Sequence, residues 1–358
     1  MSDTDNDSQN LQIIEIQPLD TDSENDGGDD YGHMQMEMFV SATTEKTTNT
    51  IHLYDIAPKF TYDRKERDVS ESAFNLRAMK NGTDDSEVEV QAARIKREDG
   101  LEVLVFPGTR EECIEDSLRK LATSGNGVFL NGEAGVRFSL YELKQDLDMH
   151  KHTYSWPQLR EGLYVLRRSG LRITNRKTGE SWEEGFLSRL VEGGQQEGEP
   201  FKLWYASFHK LVTKSITDLT YRQMNYPRLM SITGQLAKYI FKRMVSVYTF
   251  ADLEKPYQPT LTQIMQESGR GMAPEMKNNI KAMNRALDQL KDSGAIQYWE
   301  ETKRVKVGRK VTNIHYNIYP TKKLVNEIIE ANKQQKALRA SMQKAQMRQL
   351  KNMISENR

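Results

Sequence analysis

Lysine, arginine, glutamine and asparagine recur in this chain at spacings from which a helix or a turn could reach a polyanion. One group is Lys151, Gln158, Arg160 and Arg168, followed by Arg176 and Lys177 beside Asn175. A second is Lys277, Asn278, Lys281 and Arg285, followed by Lys303, Arg304, Lys306, Arg309 and Lys310. Arginine can pair in bidentate fashion with guanine, and glutamine or asparagine with adenine. Lysine and arginine at a turn are better placed for phosphates, which position a protein on a duplex without reading it. Five cations within residues 303–310 repel one another unless phosphates or acids lie close by. All fifteen are candidate DNA-binding residues, counting Lys151, Gln158, Arg160, Arg168, Arg176, Lys177 and the nine after them but not Asn175.

Other chemistries find less support. His150 and His152 are spaced like the metal pair of a nicking nuclease, yet Lys151 stands between them in a polar turn and no carboxylate ligand is evident by spacing. Cys113 is the only cysteine and falls on the apolar side of an expected helix, as a core residue would. There is no glycine-rich phosphate loop ending in Lys-Ser/Thr and no Cys/His zinc spacing. The expectation is a binding protein, not an enzyme, with no catalytic residue, no metal and no cofactor.

Short, well-marked elements must position these side chains. Val136, Arg137 and Phe138 read as a strand. Ser139 with Glu142, and Ser155 with Gln158, are capping boxes, in which each side chain satisfies a free amide at the other end of the first turn. Leu140, Leu143 and Leu147 stripe the first helix, and Leu159, Leu163 and Leu166 the second. Gly170 is expected to end the second helix in a left-handed conformation. Residues 171–175 and 181–191 then form a hairpin about a turn at 177–180. Helix, turn, helix and basic-tipped hairpin make a winged helix, whose second helix enters a DNA major groove. The pattern repeats. Leu163, Leu166, Ser169 and Gly170 match Leu287, Leu290, Ser293 and Gly294 at an offset of 124, while Ser139, Leu140, Glu142 and Leu143 match Thr260, Leu261, Gln263 and Ile264 at an offset of 121. The slip of three falls in the turn, where insertions are tolerated.

The expected fold is therefore α+β and predominantly helical, with two tandem winged-helix domains. The domains are an acidic, mostly disordered region at 1–99, a first winged helix at 100–217, a second at 218–332 and a basic helical tail at 333–358. Within the first region a helix is expected over residues 70–79, and Thr109 with Glu112 is expected to cap the first helix of the folded part. Residues 125–135 read as a loop. At 358 residues, 37% hydrophobic and 28% charged, the chain holds more polar sequence than one compact body needs. Its net charge of zero conceals an asymmetry. Residues 1–50 carry twelve acids and one lysine, a balance of −11, and residues 303–358 carry fourteen Lys/Arg and three Glu, a balance of +11. That asymmetry points to a nucleic-acid partner. No basic, apolar leader opens the chain and no apolar run of about 18 residues occurs, so a cytoplasmic protein without a membrane partner is expected.

Several of these stretches together resemble the plasmid replication initiator proteins of the RepA/TrfA type. The carrying residues are 136–143, then Tyr154, Leu159 and Leu166, then 173–179, Gly185 and Phe186, with 219–223 and 53–58 also similar. The resemblance spans about residues 101–320. It implies two winged helices binding repeated double-stranded origin DNA as a monomer, opening of an AT-rich region, and recruitment of a replicative helicase and host initiator. It also implies a monomer–dimer equilibrium in which the dimer represses its own promoter. A winged-helix transcription regulator without a replication role is the alternative from another class. Gln35, Met36, Met38 and Phe39 also fit the pentapeptide that docks in a replication sliding clamp, where glutamine meets the rim and the apolar fourth and aromatic fifth residues fill the pocket.

Overall fold

A computed structural model describes residues 36, 37, 39, 46–62, 66–81, 84–97, 100–193 and 202–356. In chain order the first part contains β1 (Thr47–Thr50), α1 (His52–Asp55), β2 (Glu66–Asp68), β3 (Phe74–Asn81), β4 (Asp84–Gln91), β5 (Ala93–Lys96) and β6 (Glu102–Val105). Then come α2 (Thr109–Leu121), β7 (Gly127–Leu130), β8 (Glu133–Ser139), α3 (Leu140–Met149), α4 (Trp156–Arg168), β9 (Gly170–Asn175), β10 (Ser181–Gly185), β11 (Leu187–Glu192), β12 (Leu203–Phe208) and α5 (Lys210–Thr217). The second part contains β13 (Arg222–Asn225), α6 (Tyr226–Ser231), α7 (Gln235–Val247), α8 (Leu261–Glu267), α9 (Met276–Asp292), β14 (Ile296–Val307), β15 (Lys310–Pro320) and α10 (Lys322–Glu356).

In the first unit α3 and α4 pack on α2, with Leu143, Leu147, Leu159, Leu163 and Leu166 buried between them. Both expected capping boxes are present. The box expected at Thr109 is shifted by one residue. Gly108 is the N-cap, and its amide donates to Glu111, because Glu111 sits three residues from the cap and Glu112 does not. The strand expected at 136–138 is part of β8, but the loop expected over 125–135 is mostly the rest of a β7–β8 hairpin; Asn131 and Gly132 both take positive φ at its tip, the geometry an Asn-Gly turn supplies. Gly170 is not left-handed. It begins β9, where a Cβ would come within 3.0 Å of the Gln91 side chain. Its counterpart Gly294 does end α9 at φ 71°.

Strands are far more extensive than a predominantly helical reading allows. β3 and β4 pair with β9 and β10 in one four-stranded sheet, and β7, β8, β12 and β11 form another. The return strand of the hairpin breaks at buried Phe186, so β10 serves the first sheet and β11 the second. Residues 46–97, read from sequence as disordered, are largely folded. A helix was expected over residues 70–79, but Phe74–Asn81 is a strand, and the alternating Ser86, Val88 and Val90 of its partner are buried. That period of two is a strand pattern that the surrounding charge obscured.

The second unit repeats the helix–turn–helix with α8, α9 and the long hairpin β14–β15, and Thr260 caps α8 by accepting from the Gln263 amide. Tyr257 and Thr260 make isolated bridges to Ile318 and His315 of β15. The first turns of the C-terminal helix are anchored in the core. Leu324, Val325, Ile328 and Ala331 of α10 are buried, Glu327 accepts from Arg228 and, at 2.9 Å, from Asn225, and Asn332 accepts from Arg222 at 2.7 Å.

A buried charge network joins the two units. Asp55, Glu112, Glu115 and Asp116 meet Lys59, Arg119, Lys238 and Lys242, four acids against four cations, each no more than 4% exposed. Lys242 of α7 donates to Asp116 at 2.9 Å and Glu112 at 3.0 Å on α2. Arg119 grips both oxygens of Asp55 at 2.7 and 2.8 Å, and Lys59 lies 2.9 Å from Glu115, which also accepts from Tyr54. Burial alone would raise the Asp55 and Asp116 carboxyls. Arg119 and Lys59 outweigh it at Asp55, and Lys242 and Lys238 at Asp116, so both titrate below the ordinary 3.8. Lys242→Ala should cost about 3–5 kcal/mol, because it strands two buried carboxylates. Urea unfolding followed by two probes checks this. The stability contributed by Asp55 and Asp116 should be complete above pH 3.8 and lost as the pH falls through their lower folded-state values. A midpoint unchanged by Lys242→Ala would refute the account.

Candidate nucleic-acid interface

In the first unit the expected cations are exposed but mostly engaged. Lys151 stands in the turn at φ 65°. Gln158 spends its carbonyl oxygen on the Ser155 amide at 2.9 Å, which leaves only its NH2 to read a base. Arg160 lies 3.9 Å from Glu192, and Arg168 rests 5.3 Å above the Tyr164 ring. At the hairpin tip Asn175 accepts from the amides of Lys177 and Thr178 and so shapes the turn. Arg176 lies 2.9 Å from Glu87 and 3.8 Å from Asp85. Both acids come from β4, which sequence reading had left unstructured. This wing is therefore largely neutralised within the protein. The first helix pair also exposes apolar groups: Tyr141, Met149 and Trp156 line an open groove of about 510 Å³ together with Lys144, Gln145 and Asp148.

The second unit is different in charge. Asn278, Lys281 and Arg285 share one face of α9 and line a groove of about 440 Å³, whose far wall is the start of α7. Arg270, which sequence reading missed, enters from the α8–α9 loop and lies 5.8 Å above the Tyr62 ring. No carboxylate among the described residues lines this groove. The wall is held close: the Gly234 amide donates to Gln289 of α9 at 2.9 Å, and a Cβ on Gly234 would collide with that same oxygen at 2.2 Å. Buried Asn279 fixes the loop ahead of α9 by bonding the Ala273 amide and carbonyl at 2.8 and 2.9 Å. Lys277 is the exception on this helix, paired with Glu275 at 3.0 Å.

The hairpin β14–β15 projects from this unit, with Val307 71% exposed near its tip and Gly308 at φ 61° in the two-residue turn. Arg304 is paired with Glu301 at 2.6 Å. Lys303, Lys306, Arg309 and Lys310 are exposed, and none has an acidic partner among the described residues. Cations held together without counter-charge favour an anionic ligand, since phosphates relieve their repulsion.

The remaining candidates lie elsewhere. His152 bonds the Met230 carbonyl at 2.8 Å and lies 3.7 Å from the Cys113 sulfur, and His150 bonds the Asp146 carbonyl at 2.8 Å. Burial, with Lys238 nearby, lowers the His152 pKa. Among the described residues no three His, Cys, Asp or Glu side chains gather as a metal site would require. Of the clamp pentapeptide, Gln35 and Met38 lie outside the described residues. Met36 and Phe39 are 3% and 1% exposed, and Phe39 packs edge-on against Tyr221 at 5.0 Å. They fill this protein's own core, so they are not free docking groups. Among the described residues no helix is long and apolar enough to cross a membrane.

No family model matches the chain, and no curated protein matches it. Among solved structures it is similar to the Pi initiator protein in complex with iteron DNA, with a TM-score of 0.47 and 10% identity over 78% of this chain and 99% of that one. It is also similar to domains 2–3 of RctB, with a TM-score of 0.44 and 11% identity over 78% and 99%.

The contrast between the wings sets an expected outcome. Replacing Lys306, Arg309 and Lys310 together by Ala should lower the slope of log affinity for duplex DNA against log salt by about 3, roughly one per lost phosphate contact. Arg176→Ala should leave it nearly unchanged. Fluorescence anisotropy across a salt titration measures both, and equal effects would show that the acids of β4 do not neutralise the first wing.

Proposed function

We propose that this chain initiates DNA replication by binding repeated duplex sequences through two winged helices in tandem. The observation that carries the reading is the groove along α9, lined by Arg270, Lys281 and Arg285 and by no carboxylate among the described residues, with four cations on the adjoining hairpin that have no acidic partner among those residues. A helix face with that chemistry suits a major groove, and the hairpin suits the flanking backbone. The matching helix–turn–helix in the first unit and the sequence resemblance to plasmid initiators support the choice of a replication role. Opening of an AT-rich region, recruitment of helicase and host initiator, and repression by a dimer belong to the same proposal.

The units divide the work. The second supplies most of the sequence-independent affinity, since Lys303, Lys306, Arg309 and Lys310 have no acidic partner among the described residues. The first, with its partly neutralised wing and its exposed Tyr141, Met149 and Trp156, contributes shape and apolar contact, which suits thymine methyl groups better than phosphates. Footprinting on the DNA around the gene tests the proposal. Protection of direct repeats beside an AT-rich block is expected, whereas protection of one inverted repeat alone would favour a repressor. Lys281→Ala with Arg285→Ala should weaken binding at the repeats by roughly tenfold to a hundredfold, as loss of two charge-assisted contacts implies. Undiminished binding by this double variant would remove α9 from the interface.

A further inference from the structure

The structure leaves one strongly charged surface unused by the proposed interface. The outer half of α10 carries, over residues 333–356, six Lys/Arg against one Glu, a balance of +5. Lys333 is paired with Glu330 at 2.8 Å. Lys336, Arg339 and Lys344 are exposed, and none has an acidic partner among the described residues. At the other end of the chain, residues 1–35 carry ten Asp/Glu and no Lys or Arg, a balance of −10.

The fold brings the root of that acidic segment to this helix. Phe39 is buried against the Tyr221 ring, centroids 5.0 Å apart. Gln335 of α10 donates to the Tyr221 carbonyl at 3.2 Å, so one residue touches both. Phe39 is thus one side chain away from the middle of α10, and Met36, one helical turn before it and adjoining the acidic segment, is buried beside Gly127. Thirty-five residues can span at most about 120 Å when extended, and the helix from residue 333 to 356 is about 35 Å long. Reach is therefore no obstacle, and a short tether gives the acidic segment a high effective concentration at the helix.

We propose that the acidic segment of residues 1–35 docks in cis on the basic outer half of α10 and excludes DNA from it, acting as an internal substitute for phosphate. The occupant follows from charge complementarity and from where the segment is anchored. Duplex DNA must displace it to use α10, so the contact lowers sequence-independent affinity and leaves binding through α9 intact. The effect on DNA rests on the function proposed above; the docking itself does not.

Zero-length carboxyl–amine crosslinking of the full chain, read by mass spectrometry, tests the docking without DNA. Crosslinks from Asp20, Asp22, Glu24, Asp26, Asp29 or Asp30 to Lys336 and Lys344 are expected, weakening as salt is raised. Crosslinks spread evenly over exposed lysines, including Lys303, Lys306 and Lys310, would overturn the proposal, as would crosslinks that form only between molecules. A second measurement uses random-sequence duplex at low salt. Removing residues 1–34 should raise affinity by roughly tenfold, and this gain should vanish when Lys336, Arg339 and Lys344 are all changed to Gln. An equal gain in both backgrounds would mean that the acidic segment acts elsewhere, and would overturn the proposal. Failure of every form to bind duplex would count against the function proposed above, while the crosslinks would still decide the docking.

Discussion

Eight charged side chains share the dry space between α2 and α7, and their position follows from what burial demands. A carboxylate or ammonium taken out of water costs several kcal/mol unless its partner sits at hydrogen-bond distance. Lys242 therefore has to stand within reach of Asp116 and Glu112, and Arg119 of Asp55. An apolar interface could slide by an ångström at little cost, but a charge network of this kind has no comparable freedom. Both candidate surfaces rest on these two helices. α3 and α4 pack on α2, while the start of α7 forms one wall of the cationic groove along α9. The relative pose of the two helix–turn–helix units is thus set by electrostatics at a distance from either surface.

The units differ less in fold than in what surrounds their cations. Arg176 and the second-wing lysines look alike as sequence, each a basic residue in a polar hairpin. Asp85 and Glu87 reach the first and not the second, because β4 is hydrogen-bonded to β9 along its length. The second hairpin has only Tyr257 and Thr260 bridged to β15 and runs on alone to its tip. A bare wing keeps its field, and that field determines how strongly the surface attracts a polyanion over a Debye length.

The polar tails behave differently from isolated solvated ends. Glu327, Asn332 and Gln335 of α10 bond to residues 220–228, and Phe39 reaches the same place from the other end of the chain. Phe39 and Gln335, far apart in the sequence, therefore meet at Tyr221.

Local chemistry made much of this legible in the sequence. Ser139, Ser155 and Thr260 each announce a helix start, since a hydroxyl before three turnable amides has few better uses. The leucine stripes gave the packed faces, and the internal repeat gave the second unit. Where a residue's role depended on strands far away in the sequence, the sequence was silent. Gly170 was needed for closeness to Gln91, not for a left-handed turn. Residues 74–91 had their strand alternation masked by charge, and β4, which pairs locally with β3, finds its other partner some 80 positions on, in β9. Arg176 could not be seen as neutralised, nor Met36 and Phe39 as core, before those partners were in place. Periods, caps and turns are short-range and can be read from neighbours along the chain; burial and charge compensation are sums over neighbours in space, which only the tertiary fold brings together.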